Sequence, residues 1–128
     1  MKPDCLFCGL PTLNDRPILA ENDLAYAVAD MYPVAEGHVL VVVRRHVADY
    51  FDLTHQELKM VNCLLSEQRD LLLTNDPSIN GFNVGVNCGE AAGQTQFHCH
   101  VHLIPRRQGD VENPRGGVRH VIPGKGFY

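Results

Sequence analysis

Three histidines alternate with apolar residues in Phe97-His98-Cys99-His100-Val101-His102-Leu103-Ile104, and no other stretch constrains the fold of this chain as tightly. Alternation of period two is the pattern of an extended strand, whose successive side chains point to opposite faces. His98, His100 and His102 then share one face, while Cys99, Val101 and Leu103 point into a core. Neighbouring histidines on that face stand about 6.5–7 Å apart, twice the strand rise. A single strand histidine is ordinarily solvated or satisfied locally. Three in strict alternation, backed by an unbroken apolar row, set imidazoles in a line beside a hydrophobic core. A straight strand spaces them too widely for one ion with bonds of roughly 2 Å, unless a bulge draws them together.

Such a strand needs neighbours, and the chain supplies them. Ile18–Ala20 and Leu24–Ala29 read as a hairpin across Glu21-Asn22-Asp23. Met31–Gly37 is a connection, and the valine-rich run His38–Arg44 reads as a central strand buried on both faces. Gly81–Val86 alternates, with Phe82, Val84 and Val86 on one side, and Pro105 is expected to close the histidine strand. One long helix intervenes. Thr54-His55-Gln56-Glu57 forms a capping box, Leu58, Val61, Leu64, Leu65, Gln68, Leu71 and Leu72 recur at helical spacing, and Pro77 ends the run. Residues 1–16, with Pro3, Gly9, Pro11 and Asn14-Asp15, read as turns. The expected architecture is α+β: a five-stranded antiparallel sheet, one long helix and a short or irregular N-terminal segment. Residues 1–110 form the domain. Residues 111–128 form a basic Pro/Gly-rich tail, packed on the same domain or on a dimer partner. An exposed edge strand favours a symmetric homodimer.

Composition narrows the function. At 128 residues and 14.3 kDa the chain suits one domain. A net charge of −4 argues against sequence-blind binding to nucleic acid or an anionic membrane. No apolar run approaches the roughly 18 residues of a membrane span, and the first residues carry no secretory pattern. Five cysteines, an odd number, fit a reducing cytoplasm better than a disulfide framework. Cys5 and Cys8 form a C-x-x-C pair, which suits half of a zinc site or a redox motif. The redox form expects a preceding strand, and here the pair precedes every strand.

His98-Cys99-His100-Val101-His102-Leu103-Ile104 resembles the motif of the histidine triad superfamily of nucleotide hydrolases and transferases. Gly93-Gln94-Thr95 resembles the loop before that triad, and Gly37-His38-Val39-Leu40-Val41-Val42 the central strand. Pro105-Arg106-Arg107-Gln108-Gly109-Asp110 is similar to the Fhit-like, diadenosine polyphosphate-hydrolysing branch. The likeness spans roughly residues 3–110. It implies attack on the α-phosphate of a dinucleoside polyphosphate or related nucleotide by His100, a neutral imidazole being available at pH 7. The His98 carbonyl would hold the tautomer, and a nucleotidyl-histidine would form and then be hydrolysed. His102 would donate to the phosphate oxygens, Thr95 to an oxygen bridging to the leaving group, and Gln94 with Gly93 would orient the phosphate. Asp30 would accept from the ribose hydroxyls, Asn87 would contact ribose or phosphate, and Phe7, Leu24 and Val28 are candidates for the base cleft. No catalytic cofactor enters this scheme.

Some bacterial members, and the related galactose-1-phosphate uridylyltransferases, pair an N-terminal C-x-x-C with two histidines. The resemblance therefore implies a structural zinc ion on Cys5, Cys8, His46 and His98, with His38 and His55 as rival ligands. The Fhit-like branch typically lacks the cysteine pair, so a Hint-like phosphoramidase and a nucleotidyl transferase or phosphorylase stay open. From another class, so does a zinc-stabilised nucleotide-binding protein with incidental turnover. Arg106, Arg107, Arg115, Arg119 and Lys125 are candidates for holding the distal phosphates.

Overall fold

The computed structural model describes residues 2–13 and 16–128; the turn expected at Asn14-Asp15 lies outside the described residues. Five antiparallel strands form one sheet: β1 Ala20–Glu21, β2 Ala25–Ala29, β3 Val39–Val43, β4 Ile79–Gly85 and β5 His100–Arg107, in the order β1-β2-β3-β5-β4. One short helix, α1 (Leu6–Gly9), and one long helix, α2 (His55–Asn75), complete the regular elements. The α+β architecture is the expected one, but several boundaries moved.

The largest shift is in β5, which runs on through Pro105 to Arg107. Proline removes a ladder donor only where a neighbour would use it. The β3 ladder on β5 reaches no further than Leu103, opposite Val39, so Pro105 sits where that side of the strand is free. At its other end the regular ladder begins at His100, not Phe97. Cys99 remains extended, donating its N–H to Val47 O at 2.7 Å. β1 begins two residues later than expected and ends one later, and β4 begins at Ile79, with its register shifted between Ile79 and Gly81. The N-terminal segment is more regular than its turn residues imply: α1 leads into a 3₁₀ turn over Leu10–Thr12.

Strand parity divides the sheet into two apolar faces. Ala25, Ala27, Val39, Val41, Val101 and Leu103 pack against Val61 and Leu64 of α2. Leu71, expected on that helix face, is exposed. On the opposite face Tyr26, Val28, Leu40 and Val42 pack against Phe7 and Leu10. The Tyr26 hydroxyl donates to Phe7 O and ties the N-terminal segment down. The histidines lie on this second face.

The capping box forms as the sequence requires. Glu57 N donates to Thr54 Oγ1 at 3.0 Å, and Thr54 N to Glu57 Oε1 at 2.9 Å. Glu57 also receives both arms of Arg45, at 2.8 and 3.0 Å, which lowers its pKa. Thr54→Ala is expected to cost about 1 kcal/mol in chemical denaturation, the usual value of an N-cap hydroxyl. An unchanged midpoint would show that the Arg45–Glu57 pair alone fixes this end.

Candidate active site

β5 carries His100 and His102 on the second face, with Val101 and Leu103 buried beneath them. The ring centroids of His100 and His102 are 5.4 Å apart. His100 Nδ1 lies 2.8 Å from the His98 carbonyl oxygen. A carbonyl only accepts, so Nδ1 carries the proton and Nε2 keeps its lone pair. Phe7 covers the same ring at 4.8 Å between centroids.

A second chain of contacts sets the tautomer of His102. Val34 N donates to His38 Nδ1 at 3.2 Å, so neutral His38 carries its proton on Nε2. That nitrogen faces His102 Nδ1 at 2.9 Å and Asp30 Oδ2 at 3.4 Å. His102 Nδ1 therefore accepts, and its proton sits on Nε2. Two neighbouring imidazoles thus hold opposite states at the same ring position: a bare Nε2 on His100 and an N–H on His102. His38, for which the triad motif implies no role in the reaction, thus joins Asp30 and His102. Leu40 pairs with His102 and Val42 with His100, and this register puts His38 on the histidine face.

Burial, with His100 and His38 nearby, pushes the pKa of His102 down to about 4 against the pull of Asp30. Burial lowers His38 and His98 in the same direction. The unfolded chain binds these protons near pH 6.5, and the folded one resists them. Stability is therefore full above about 6.5 and falls as the pH drops toward 4. His102→Asn should flatten the dependence of the urea midpoint on pH over that interval. An identical slope in the variant would count against His102 as a source.

The remaining loop residues divide. Gly93, at φ +92°, ends a 3₁₀ turn over Glu90–Ala92, a conformation that favours glycine. Gln94 is buried with its amide committed to the loop. Its Oε1 accepts from Gly89 N at 2.8 Å, and its Nε2 donates to Ala48 O at 2.9 Å. The side chain thereby braces the turn that precedes Thr95. Thr95 and Asn87 are exposed. Asp30 also accepts from Tyr32 N at 2.7 Å, so one oxygen closes a turn while the other faces the histidines. Val28 is buried in the core, while Phe7, also mostly buried, lines a small cavity with Pro11, Tyr26 and Arg44.

One ring past β3 and one before β5, four ligand atoms converge. Cys5, Cys8, His46 and His98 hold theirs within 4.8 Å of one another. Cys5 and Cys8 Sγ lie 3.4 and 3.5 Å from His98 Nδ1, and Cys8 Sγ lies 3.3 Å from His46 Nδ1. His98 Nε2 donates to Val43 O, which turns its bare Nδ1 toward the sulfurs. This cluster can hold a metal ion. The rivals stand elsewhere: His38 beside His102, and His55 exposed at the start of α2.

The HIT domain model matches residues 12–109, and the chain belongs to that family. An uncharacterised HIT-like protein of Mycoplasma pneumoniae is 38% identical over 104 residues, 80% of this chain and 72% of that protein. The bis(5'-adenosyl)-triphosphatase of Dictyostelium discoideum is 36% identical over 102 residues, 79% of this chain and 67% of that enzyme. Among solved structures, a zinc-bound histidine triad protein of Mycobacterium smegmatis superposes with a TM-score of 0.75 at 28% identity, covering 86% of this chain and 80% of that one.

Proposed function

We propose that this chain cleaves a dinucleoside polyphosphate, or a related nucleoside phosphate, at the α-phosphate through a nucleotidyl-His100 intermediate. The observation that carries this is the opposed protonation of the two Nε2 atoms. The bare Nε2 of His100 attacks phosphorus with its lone pair. The P–O bond to the leaving group breaks, and the leaving oxygen departs with that electron pair as an anionic phosphate, accepting a hydrogen bond from the Thr95 hydroxyl. His102 Nε2–H donates to the non-bridging oxygens as charge develops. Water then attacks the phosphorus and gives up one proton to the solvent, the P–N bond breaks so that His100 regains its lone pair, and the nucleoside monophosphate leaves with the water's oxygen. Asp30 and Asn87 hold the ribose side, while Gly93 and Gln94 shape the loop that presents Thr95.

The reading also includes structural zinc on Cys5, Cys8, His46 and His98. Zn–S bonds near 2.3 Å and Zn–N bonds near 2.05 Å put tetrahedral S and N ligands roughly 3.6 Å apart. The S···N separations of 3.3–3.5 Å sit close to that value. The ion would brace the N-terminal segment against the residue whose carbonyl holds His100. The cytoplasm keeps such thiolates reduced. Pairing through the exposed sheet edge makes the protein a homodimer, and light scattering near 14.3 kDa would contradict that. The test of the reaction is an alkaline-quenched incubation with diadenosine tetraphosphate. Mass spectrometry should find one AMP moiety on the peptide carrying His100 and none on a His100→Ala protein. Turnover with no adduct in either protein would replace this mechanism with direct attack by water.

A further inference from the structure

β5 does not end with its histidines. Its second face continues from His100 and His102 to Ile104 and Arg106. Beyond His102 that face becomes the floor of a groove of about 700 Å³. Ile104 forms the floor and Val34 one rim, and Phe127 and His120 of the C-terminal tail form the opposite wall. Val34 is also the residue whose N–H holds His38, so the groove begins where the catalytic contacts end. The family model matches residues 12–109, so this wall comes from the segment that follows the matched domain.

The wall is built, not draped. Arg115 and Arg119 both lie over the Tyr128 ring, at 4.4 and 5.0 Å. Arg119 Nε donates to Gly126 O at 3.2 Å, and His120 packs edge-on against Phe127 at 4.5 Å. Gly116 (φ +94°) and Gly126 permit the close approach: a Cβ at 116 would collide with Gly126 O, and one at 126 with the His120 ring. Phe127 nevertheless keeps 58% of its surface exposed, facing the groove.

The charges say what the groove suits. Arg106 is held by Asp110 at 2.8 and 2.9 Å and by Asn83, and Arg107 by Asp76 at 2.8 Å. These guanidiniums are already neutralised, which makes them weak partners for distal phosphates. Glu36 also lines the groove and is in no ion pair among the described residues, so it disfavours a further phosphate. An aromatic and aliphatic surface whose guanidiniums are paired accepts a neutral planar group. The distance also fits, since Ile104 stands four residues from His100, about 13 Å along the strand.

We propose that the groove is a subsite for the leaving half of the substrate, taking the distal nucleoside of a dinucleoside polyphosphate against Phe127 and Ile104. This rests on the proposed function, but it is tested separately from it. Phe127→Ala and Ile104→Ala alter the wall and the floor from different elements, so a misfolded tail alone cannot produce both results. Each should raise KM for diadenosine tetraphosphate about tenfold, equivalent to about 1.4 kcal/mol. Both should leave kcat/KM for an adenosine phosphoramidate, which has no distal nucleoside, within twofold. Direct titration of the His100→Ala protein removes the dependence on turnover. There diadenosine tetraphosphate should bind tighter than AMP, and either groove substitution should erase the difference. Equal affinity for the two ligands overturns the inference even if the enzyme turns over, and so do equal kinetic losses on both substrates. A fall in scattering mass to one chain in the groove variants would reassign the groove to a subunit contact and overturn it as well. Absence of any adduct or turnover in the unmutated protein would instead sink the functional reading while the titration still judges the groove.

Discussion

Alanine at position 100 should lower kcat on diadenosine tetraphosphate by several orders of magnitude while AMP affinity stays within a few-fold. The ring is the proposed attacking group. The contacts assigned to ribose and phosphate come from Asp30, Asn87, Thr95 and His102, which the substitution leaves in place. The truncation removes bond formation in the transition state rather than ground-state binding, so the loss should appear in kcat and kcat/KM together. Retention of more than about a tenth of the rate, an allowance of roughly 1.4 kcal/mol in barrier, excludes His100 as the nucleophile. His100→Asn discriminates further. It can keep a donor to the His98 carbonyl but offers no nucleophilic nitrogen, so it should be as inactive as the alanine protein. Recovery of activity with asparagine would mean that the ring only positions a water.

Removing both thiols, Cys5→Ser with Cys8→Ser, should empty the proposed zinc site and lower stability. Protein purified without added metal should carry about one zinc per chain, and the double variant close to none. The cost is buffered because Phe7 and Leu10 still dock on Tyr26, Val28 and Leu40. A loss of about 3 kcal/mol would lower the melting temperature by roughly 10 °C in a domain of this size. The kinetic effect has a route through the backbone: His98 supplies both a ring nitrogen to the cluster and the carbonyl that fixes His100. The double variant should therefore lose kcat more than it raises KM. A wild-type protein that is metal-free, yet as stable and as active as the loaded form, would refute the site.

Much of this was legible in local pattern. Period two in Phe97–Ile104 gave the strand and the face of each histidine, because side-chain direction in a strand depends only on parity. The Thr54–Glu57 box and the leucine spacing gave α2, because caps and helical faces are set within a few residues. The pair Cys5 and Cys8 announced half a ligand set by its spacing alone.

The rest depended on what stands opposite, and spacing does not encode that. Pro105 reads as a strand end, but its cost depends on whether a neighbour needs the missing N–H, and β3 has already stopped there. Gln94 looks like a free amide for phosphate until Ala48, 46 residues earlier, accepts from it. Arg107 looks like a cation for a polyphosphate until Asp76, 31 residues earlier, meets it across the sheet edge. His38 sits at the mouth of a valine strand, and only the β3–β5 register brings its ring to His102 and so fixes which nitrogen of His102 carries the proton. The sequence alone determined the elements and the strand face of each histidine, since these follow from backbone geometry over a few residues, and it named the candidate reactive groups. The tertiary structure decided the tautomers, which charges were already paired and where the tail leaves a groove, since each is a property of atoms brought together from distant parts of the chain.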